Sequence, residues 1–336
     1  MRSVERVFSG RRVLITGHTG FKGTWLAEWL IGLGAEVVGL SLPAVERHSM
    51  LGQLELAKRL DHRNGDVRDG LAVSNLVRQV QPDFVFHLAA QALVRRSYIE
   101  PLDTFATNVA GTANMLNALR ALDGPCAVVV VTSDKCYLNH ERGVAYVETD
   151  ALGGRDPYSA SKAAAEIATA AWRDSFFEPD KISKGLVGPV AIATARAGNV
   201  IGGGDSAEDR IFPDCLSALK KNQPIAVRNP SAVRPWQHVL EPLSGYLMLA
   251  AQMHEALLDP TAGRLKALCS AFNFGPSAAD HRSVAELVQE ILRHRPGSWF
   301  DASNPSAPHE ANLLHLSTDK AQTLLGWRPR WNFAQA

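Results

Sequence analysis

The sequence is short of what several protein classes require. Cysteine is scarce: Cys126, Cys136, Cys215 and Cys269 lie far apart and form no CxxC pair. That pattern speaks against a disulfide framework and fits reduced thiols in a cytoplasmic protein. Neither charge is in excess, with 35 Lys plus Arg against 34 Asp plus Glu. No nucleic acid and no anionic membrane surface is therefore expected as a partner, because both demand a basic surplus. No apolar run approaches the roughly 18 residues of a membrane span. Residues Met1–Arg6 carry Glu5 and no apolar stretch, so no secretion signal is expected. The 11 histidines show no HExxH and no regular spacing with the cysteines, and no metal site is expected. Internal repeats and low-complexity tracts are also missing.

What is present is ordinary for a globular chain: 336 residues, 46% hydrophobic and 21% charged. At ~150 residues per domain that suggests about two domains, with enough chain for a large core without staples. The first half alternates short β-branched runs with longer helical patterns, the signature of βαβ units and a parallel sheet. Val13–Thr16 reads as the first strand, Phe21–Leu33 as the helix after it, and Glu36–Leu40 as the second strand. Phe84–Leu88 and Ala127–Val131 are continuous apolar runs, as strands covered on both faces require. Thr104–Leu122 has helical periodicity. Pro157 opens a helix to about Phe176 at the position where proline is tolerated, and Val190–Thr194 reads as a sixth strand. After Asn199 the texture loosens into a glycine loop, a helix near Pro213–Lys220 and strands near Ile225–Val227 and Trp236–Val239. The expectation is an α/β protein with a doubly wound parallel sheet over 1–195. Residues 196–336 mainly form a smaller substrate-binding lobe, and the chain is free to cross between the two.

Gly17-His18-Thr19-Gly20-Phe21-Lys22-Gly23 falls between the first strand and the first helix. Glycine there permits a tight turn, lets backbone N–H groups approach a pyrophosphate and seats the helix close to the strand. The helix N-terminus adds partial positive charge. Lys22 is followed by Gly23 rather than Ser or Thr, which rules out a P-loop and points to a dinucleotide on a Rossmann-type sheet. The acid that would specify NAD at the end of the second strand is replaced by Ser41-Leu42-Pro43. Arg47 is placed either to meet a 2′-phosphate or as a solvated charge. Asp66, with Val67, is placed either to accept an adenine amino group or as a turn aspartate.

Tyr158-Ser159-Ala160-Ser161-Lys162 sets a phenol and an ammonium at i and i+4 on the first turn of a helix, facing one way. The ammonium and the helix N-terminus both favour the phenolate. The pattern is that of a base for removing a hydroxyl proton as hydride leaves the same carbon. With the glycine turn and a fifth strand ending near Ser133, the sequence resembles the extended short-chain dehydrogenase/reductase superfamily.

Thr132-Ser133-Asp134-Lys135-Cys136-Tyr137 narrows the resemblance to the sugar-nucleotide 4,6-dehydratases, which need an acid–base pair where epimerases carry small inert residues. Asp-Lys followed by Cys-Tyr is similar to the CDP-glucose branch. Ala89-Ala90-Gln91, Gly153-Gly154-Arg155-Asp156-Pro157-Tyr158, Ala197 to Asp205 and Arg234 to Val239 agree, so the resemblance covers nearly the whole chain. It implies bound NAD, reduced and regenerated in each turnover so that tight retention is an advantage. Gly17, Gly20, Phe21, Lys22, Gly23, Asp66, Val67, Leu88, Ala89, Ala90, Tyr158 and Lys162 would hold it. It implies CDP-glucose as substrate, Tyr158 with Lys162 and Ser133 at the 4-hydroxyl, and Asp134 as the acid for the 6-hydroxyl. Lys135 stands where sister branches have a glutamate base, either as a base with lowered pKa or as an electrostatic stabiliser. Asn199, Arg210 and Arg234 would grip the diphosphate, with Arg95, Arg228 and His238 nearby; Arg228 also reads as a surface charge. A homodimer through the Tyr158 helix, with its Ala163-Ala164-Ala165 face, is implied as well. So is a place in dideoxyhexose supply for the O-antigen of lipopolysaccharide.

Two other readings compete. An epimerase or reductase on the same fold has no need of Asp134-Lys135. A non-catalytic NAD(P)-sensing regulator has no need of Tyr158 and Lys162. His87 reads as a packed core residue, and Trp25 and Trp29, on one helix face, as core. The chain stops at Trp331–Ala336, where the family pattern would begin another helix.

Overall fold

Among the residues described in the computed structural model (4–43, 50–141, 143–259, 264–304, 306 and 313–336), seven strands join one sheet. These are β1 (Arg12–Thr16), β2 (Glu36–Ser41), β3 (Asp61–Asn64), β4 (Phe84–His87), β5 (Cys126–Val131), β6 (Val190–Ala197) and β7 (Ala271–Phe274). Their order is β7-β6-β5-β4-β1-β2-β3, and every pairing is parallel. All six residues of β5 and all eight of β6 are buried, because helices cover both faces. Strand order reverses between β1 and β4, and in such sheets ligands bind outside the carboxyl ends at that point.

Helix starts are set by side chains close in sequence. The helix α1 (Phe21–Gly32) follows the glycine turn directly. Asp69 caps α2 (Gly70–Val80) by accepting from Leu71 N and Ala72 N. The helical stretch predicted from Thr104 starts at Pro101; it loosens into a π turn over Ala106–Ala110 and continues as α3 (Gly111–Ala118). The buried Asn108 in that turn donates to Gln91 O at 3.0 Å and Ser161 Oγ at 2.9 Å. Helix α4 (Pro157–Phe176) has proline in its first turn and is capped by Asp156, which accepts from Ser159 N at 2.9 Å. His87 is a core residue, hydrogen-bonded to Thr16 Oγ1 at 2.8 Å and Thr112 Oγ1 at 3.1 Å.

A second hydrophobic cluster, with Cys215, Leu219, Ile225, Val227, Trp236, Leu287 and Val288, lies outside the sheet. It is built on α5 (Ile211–Lys220) and, further along the chain, Val284–His294. Between them the chain returns to the sheet. Helix α6 (Leu240–Leu258) is buried in the main cluster with residues of β5 and β6, and β7 pairs with β6. Periodicity does not mark β7, because Ala-Phe-Asn-Phe is short and contains a polar residue. Asn273 is fully buried there because Tyr137 donates to its side chain, and its own amide donates to Tyr146 O.

The last residues also come back. Trp327 is buried, donates to Ser244 Oγ at 2.8 Å and meets Phe274 edge-on. Trp327→Ala is expected to destabilise the protein by about 3–5 kcal/mol, read as a lowered denaturation midpoint.

Candidate active site

The carboxyl ends of β1, β4 and β5 open into a cleft of about 940 Å³, at the upper end of the usual size for small-molecule sites. Its floor is the glycine turn. Gly17 has φ +78°, and a Cβ there would lie 2.7 Å from Ala89 N. At Gly23 a Cβ would lie 2.1 Å from Gly17 O. Gly20 caps α1 without a side-chain hydrogen bond. The turn thus accepts only bare backbone and leaves a helix N-terminus pointed at the cleft. Gly17, Gly20, Phe21, Lys22, Gly23, Asp66, Val67, Leu88, Ala89 and Ala90 all line it. Asp66 is also a turn aspartate: its carboxylate accepts from Arg68 N at 2.9 Å and from the Arg68 guanidinium. Ser41, closing β2, accepts from Thr19 N at 3.3 Å. Arg47 lies outside the described residues.

On the opposite wall, β5 ends and the chain turns through Asp134–Cys136. Ser133 Oγ donates to Asp134 Oδ1 at 3.0 Å and accepts from Lys135 N. Lys135 Nζ lies 3.3 Å from the same carboxylate oxygen. The other oxygen, Asp134 Oδ2, is buried and has no hydrogen-bond partner among the described residues. Tyr158 and Lys162 present themselves from the start of α4, with Lys162 Nζ donating to Val131 O at 3.3 Å.

The charge state differs from the expectation that the ammonium lowers the phenol pKa. Burial pushes Tyr158 up to about 12, a hydrogen bond with Ser133 works the other way, and the Asp134 charge raises it further. Burial likewise brings Lys162 down to about 8, partly opposed by Glu166. Lys22 falls to about 8 through burial and the positive charge of Arg210. Spacing shows which groups meet; it does not show how dry their meeting place is.

Behind this wall lies a network that the sequence motifs do not reveal. Glu166, one turn beyond Lys162, accepts from Thr132 Oγ1 at 2.5 Å, Thr194 Oγ1 at 2.8 Å and Arg196 Nη2 at 2.8 Å. Arg196 also donates to Tyr137 OH at 2.8 Å and Glu148 O at 3.1 Å. The i+4 spacing of Lys162 and Glu166 was the one available signal. The ion pair is almost fully buried. Glu166→Gln, leaving the Arg196 charge uncompensated, is expected to cost about 3–5 kcal/mol in a denaturant titration.

Five of the six predicted substrate ligands are gathered in the cleft. Arg95, Asn199, Arg210, Arg228 and Arg234 line the cleft. Asn199 Oδ1 is buried without a partner among the described residues. Arg210 is held by Asp205 at 3.0 Å, and Arg228 is paired with Asp209 and Asp214 rather than being a plain surface charge. His238 is not among the described cleft-lining residues. It lies between Trp25 and Trp331, ring centroids 5.8 and 4.7 Å away, and accepts from Leu240 N at the start of α6. Trp25 and Trp29 are partly buried and pack against the main core, and the Trp25 indole donates to Gly203 O at 2.9 Å. It thereby ties α1 to the glycine loop.

The family model for GDP-mannose 4,6 dehydratase matches residues 14–336. A CDP-glucose 4,6-dehydratase of Salmonella typhimurium is 43% identical over 334 residues, covering 98% of this chain and 89% of that one. A probable dTDP-glucose 4,6-dehydratase of Sinorhizobium fredii is 25% identical over 96% of this chain and 89% of its own. Two solved structures share the fold. One is an epimerase of Methanothermobacter thermautotrophicus, with TM-score 0.80 and 22% identity, covering 99% of this chain and 91% of that one. The other is the dTDP-glucose 4,6-dehydratase DesIV of Streptomyces venezuelae with NAD and TYD bound, with TM-score 0.76 and 22% identity, covering 96% and 93%. The glycine turn, the Tyr158–Lys162 pair and the Ser133–Lys135 turn thus stand in a chain that belongs to the GDP-mannose 4,6 dehydratase family of the short-chain dehydrogenase/reductase superfamily.

Proposed function

We propose that this protein is an NAD-dependent CDP-glucose 4,6-dehydratase, a hydro-lyase that forms CDP-4-dehydro-6-deoxy-D-glucose and water. The observation that carries the reading is the Asp134–Lys135 pair beside Tyr158 and Ser133 in one cleft. An epimerase has no use for such a pair, and the 43% identical relative bears the same activity in its name.

The residues present fit NAD. Gly17 and Gly23 admit no Cβ, because backbone of Ala89 and of Gly17 itself stands 2.7 and 2.1 Å from where it would lie, so the turn stays tight, and the uncapped start of α1 offers N–H groups to a pyrophosphate. Gly20, Phe21 and Lys22 continue this cradle, while Asp66, Val67, Leu88, Ala89 and Ala90 line its walls. When bound, NAD+ supplies the hydride acceptor at C4 and the hydride donor at C6.

This chain's own groups move the protons. Tyr158 removes the 4-hydroxyl proton, with the Ser133 hydrogen bond and the Arg210 charge countering the burial that raises its pKa. The resulting ketone acidifies C5–H, whose proton passes to Lys135 and returns from it to C5 as the hydride reaches C6, while Asp134 protonates the departing 6-hydroxyl, which leaves as water. Lys135, against the Asp134 carboxylate, steadies the enolate charge. At the end of a cycle Tyr158 has gained a proton and Asp134 has lost one. Ser133 is bonded to both and gives that proton a way back. Asn199, Arg95, Arg210, Arg228 and Arg234 take the diphosphate, since arginine forks match phosphate oxygens.

The same reading places the cofactor on the sheet lobe and the sugar nucleotide mainly on the second lobe, in the cytoplasm, supplying dideoxyhexose synthesis for O-antigen polysaccharide. Exposed Ile99, Leu102 and Ile167 on the helices flanking β4 and β5 support a homodimer through that face.

Incubation with CDP-glucose, dTDP-glucose, GDP-mannose and UDP-glucose, each with NAD+, tests the assignment by mass spectrometry. Loss of one water from CDP-glucose is expected; loss only from another nucleotide sugar, or from none, contradicts it. The Lys162 ammonium is present below about pH 8 and is lost above it. Accordingly, kcat/KM is expected to decline as the pH rises through that value.

A further inference from the structure

The sugar-nucleotide reading gives Asp209, an acidic residue lining the cleft, no task. Asp209 lies in the loop between Val200–Ile201 and α5, and its carboxylate faces cations from both walls. Its Oδ1 pairs with Nη1 of Arg228, which follows the second-lobe strand Ile225–Val227. The same oxygen lies 3.7 Å from Nη1 of Arg95, on the helix Val94–Ile99 of the sheet lobe. One carboxylate therefore bridges two of the arginines assigned to the diphosphate.

The neighbouring acid behaves differently. Asp205 pairs with Arg210 at 3.0 Å, but its side chain is only 3% exposed, and it also accepts from Ala207 N. That pair is a fixed support for Arg210. The side chains of Asp209, Arg95 and Arg228 are each about a third exposed (35%, 31% and 35%), open to water and to a ligand. Asp209 also has φ +60°, a left-handed backbone conformation that aspartate adopts more readily than most residues.

We infer that Asp209 is an affinity- and specificity-determining residue: its carboxylate holds the place of the substrate's diphosphate, and a ligand binds by displacing it from Arg95 and Arg228. A diphosphate carries more charge and more acceptor oxygens than one carboxylate and can satisfy both guanidinium forks. A neutral sugar cannot repay the lost ion pairs, and a monophosphate reaches fewer of the donors. The residue thus sets a threshold that favours sugar diphosphates. Asp214, 3.5 Å from Arg228, keeps that arginine from being left alone during the exchange.

This inference rests on the sugar-nucleotide reading, and calorimetric binding of CDP and of inorganic pyrophosphate separates the two without turnover. Asp209→Asn keeps the shape and removes the charge, while Asp209→Gly also relieves the positive φ and guards against misfolding. Both are expected to bind CDP and pyrophosphate roughly three- to tenfold more tightly than the unsubstituted protein, with KM for CDP-glucose falling in parallel. The gain should shrink for CMP. Asp205→Asn, which frees Arg210 from its support, is expected to weaken both ligands. Unchanged or weaker CDP and pyrophosphate binding in both Asp209 variants overturns the inference while leaving the substrate reading intact. No binding of CDP or pyrophosphate by the unsubstituted protein overturns both.

Discussion

The buried ion pair of Glu166 and Arg196 is the constraint on which the cleft depends. It joins α4 to β6 and reaches the end of β5 through Thr132. Through Tyr137 and Asn273 it also reaches β7. Tyr158 and Lys162 lie on the same helix as Glu166, and Ser133, Asp134 and Lys135 lie between Thr132 and Tyr137. Both halves of the reaction centre therefore hang from one salt bridge. A buried pair of this kind is a weak source of net stability, because desolvation consumes most of its attraction. Its value here is positional: its hydrogen bonds reach Thr132, one residue before Ser133, and Tyr137, just past the Asp134–Cys136 turn.

The same dryness sets the electrostatics. Lys22, Lys162, Lys135 and Arg210 all lie near enough to be felt at the Asp134 carboxylate or at one another. Burial lowers Lys22 and Lys162 and raises the phenol, so charge must be shared within the cluster rather than with water. Proton traffic among Tyr158, Ser133 and Asp134 is then local. A substrate that enters brings its own negative charge to the outer arginines, while the inner cations stay with the sugar. Asp209 fits this division, since it keeps the outer cations compensated until a diphosphate arrives.

Much of this was legible in the sequence, and the limits have physical causes. The glycine turn, the Tyr158–Lys162 pair and the Ser133–Lys135 turn are local patterns, and local spacing survives folding. Strand β7 and helix α6 were not legible as parts of the sheet lobe, because only tertiary neighbours bury Asn273 and return the chain. His238 carried a family resemblance into the cleft, yet two tryptophans distant in sequence hold it outside. The rise in the Tyr158 pKa comes from burial, which i and i+4 spacing does not report. Glu166 was visible as a residue one turn beyond Lys162; its partner Arg196 lies on a different strand and had no motif to mark it.

The most direct measurement of the central claim is to follow a deuterium placed at C4 of CDP-glucose through turnover. Internal oxidation, elimination and return predict a product that has lost water and carries the deuterium at C6 of the same molecule. Deuterium remaining at C4 of an intact or epimerised sugar, or a dehydrated product that has lost the label to solvent, contradicts it.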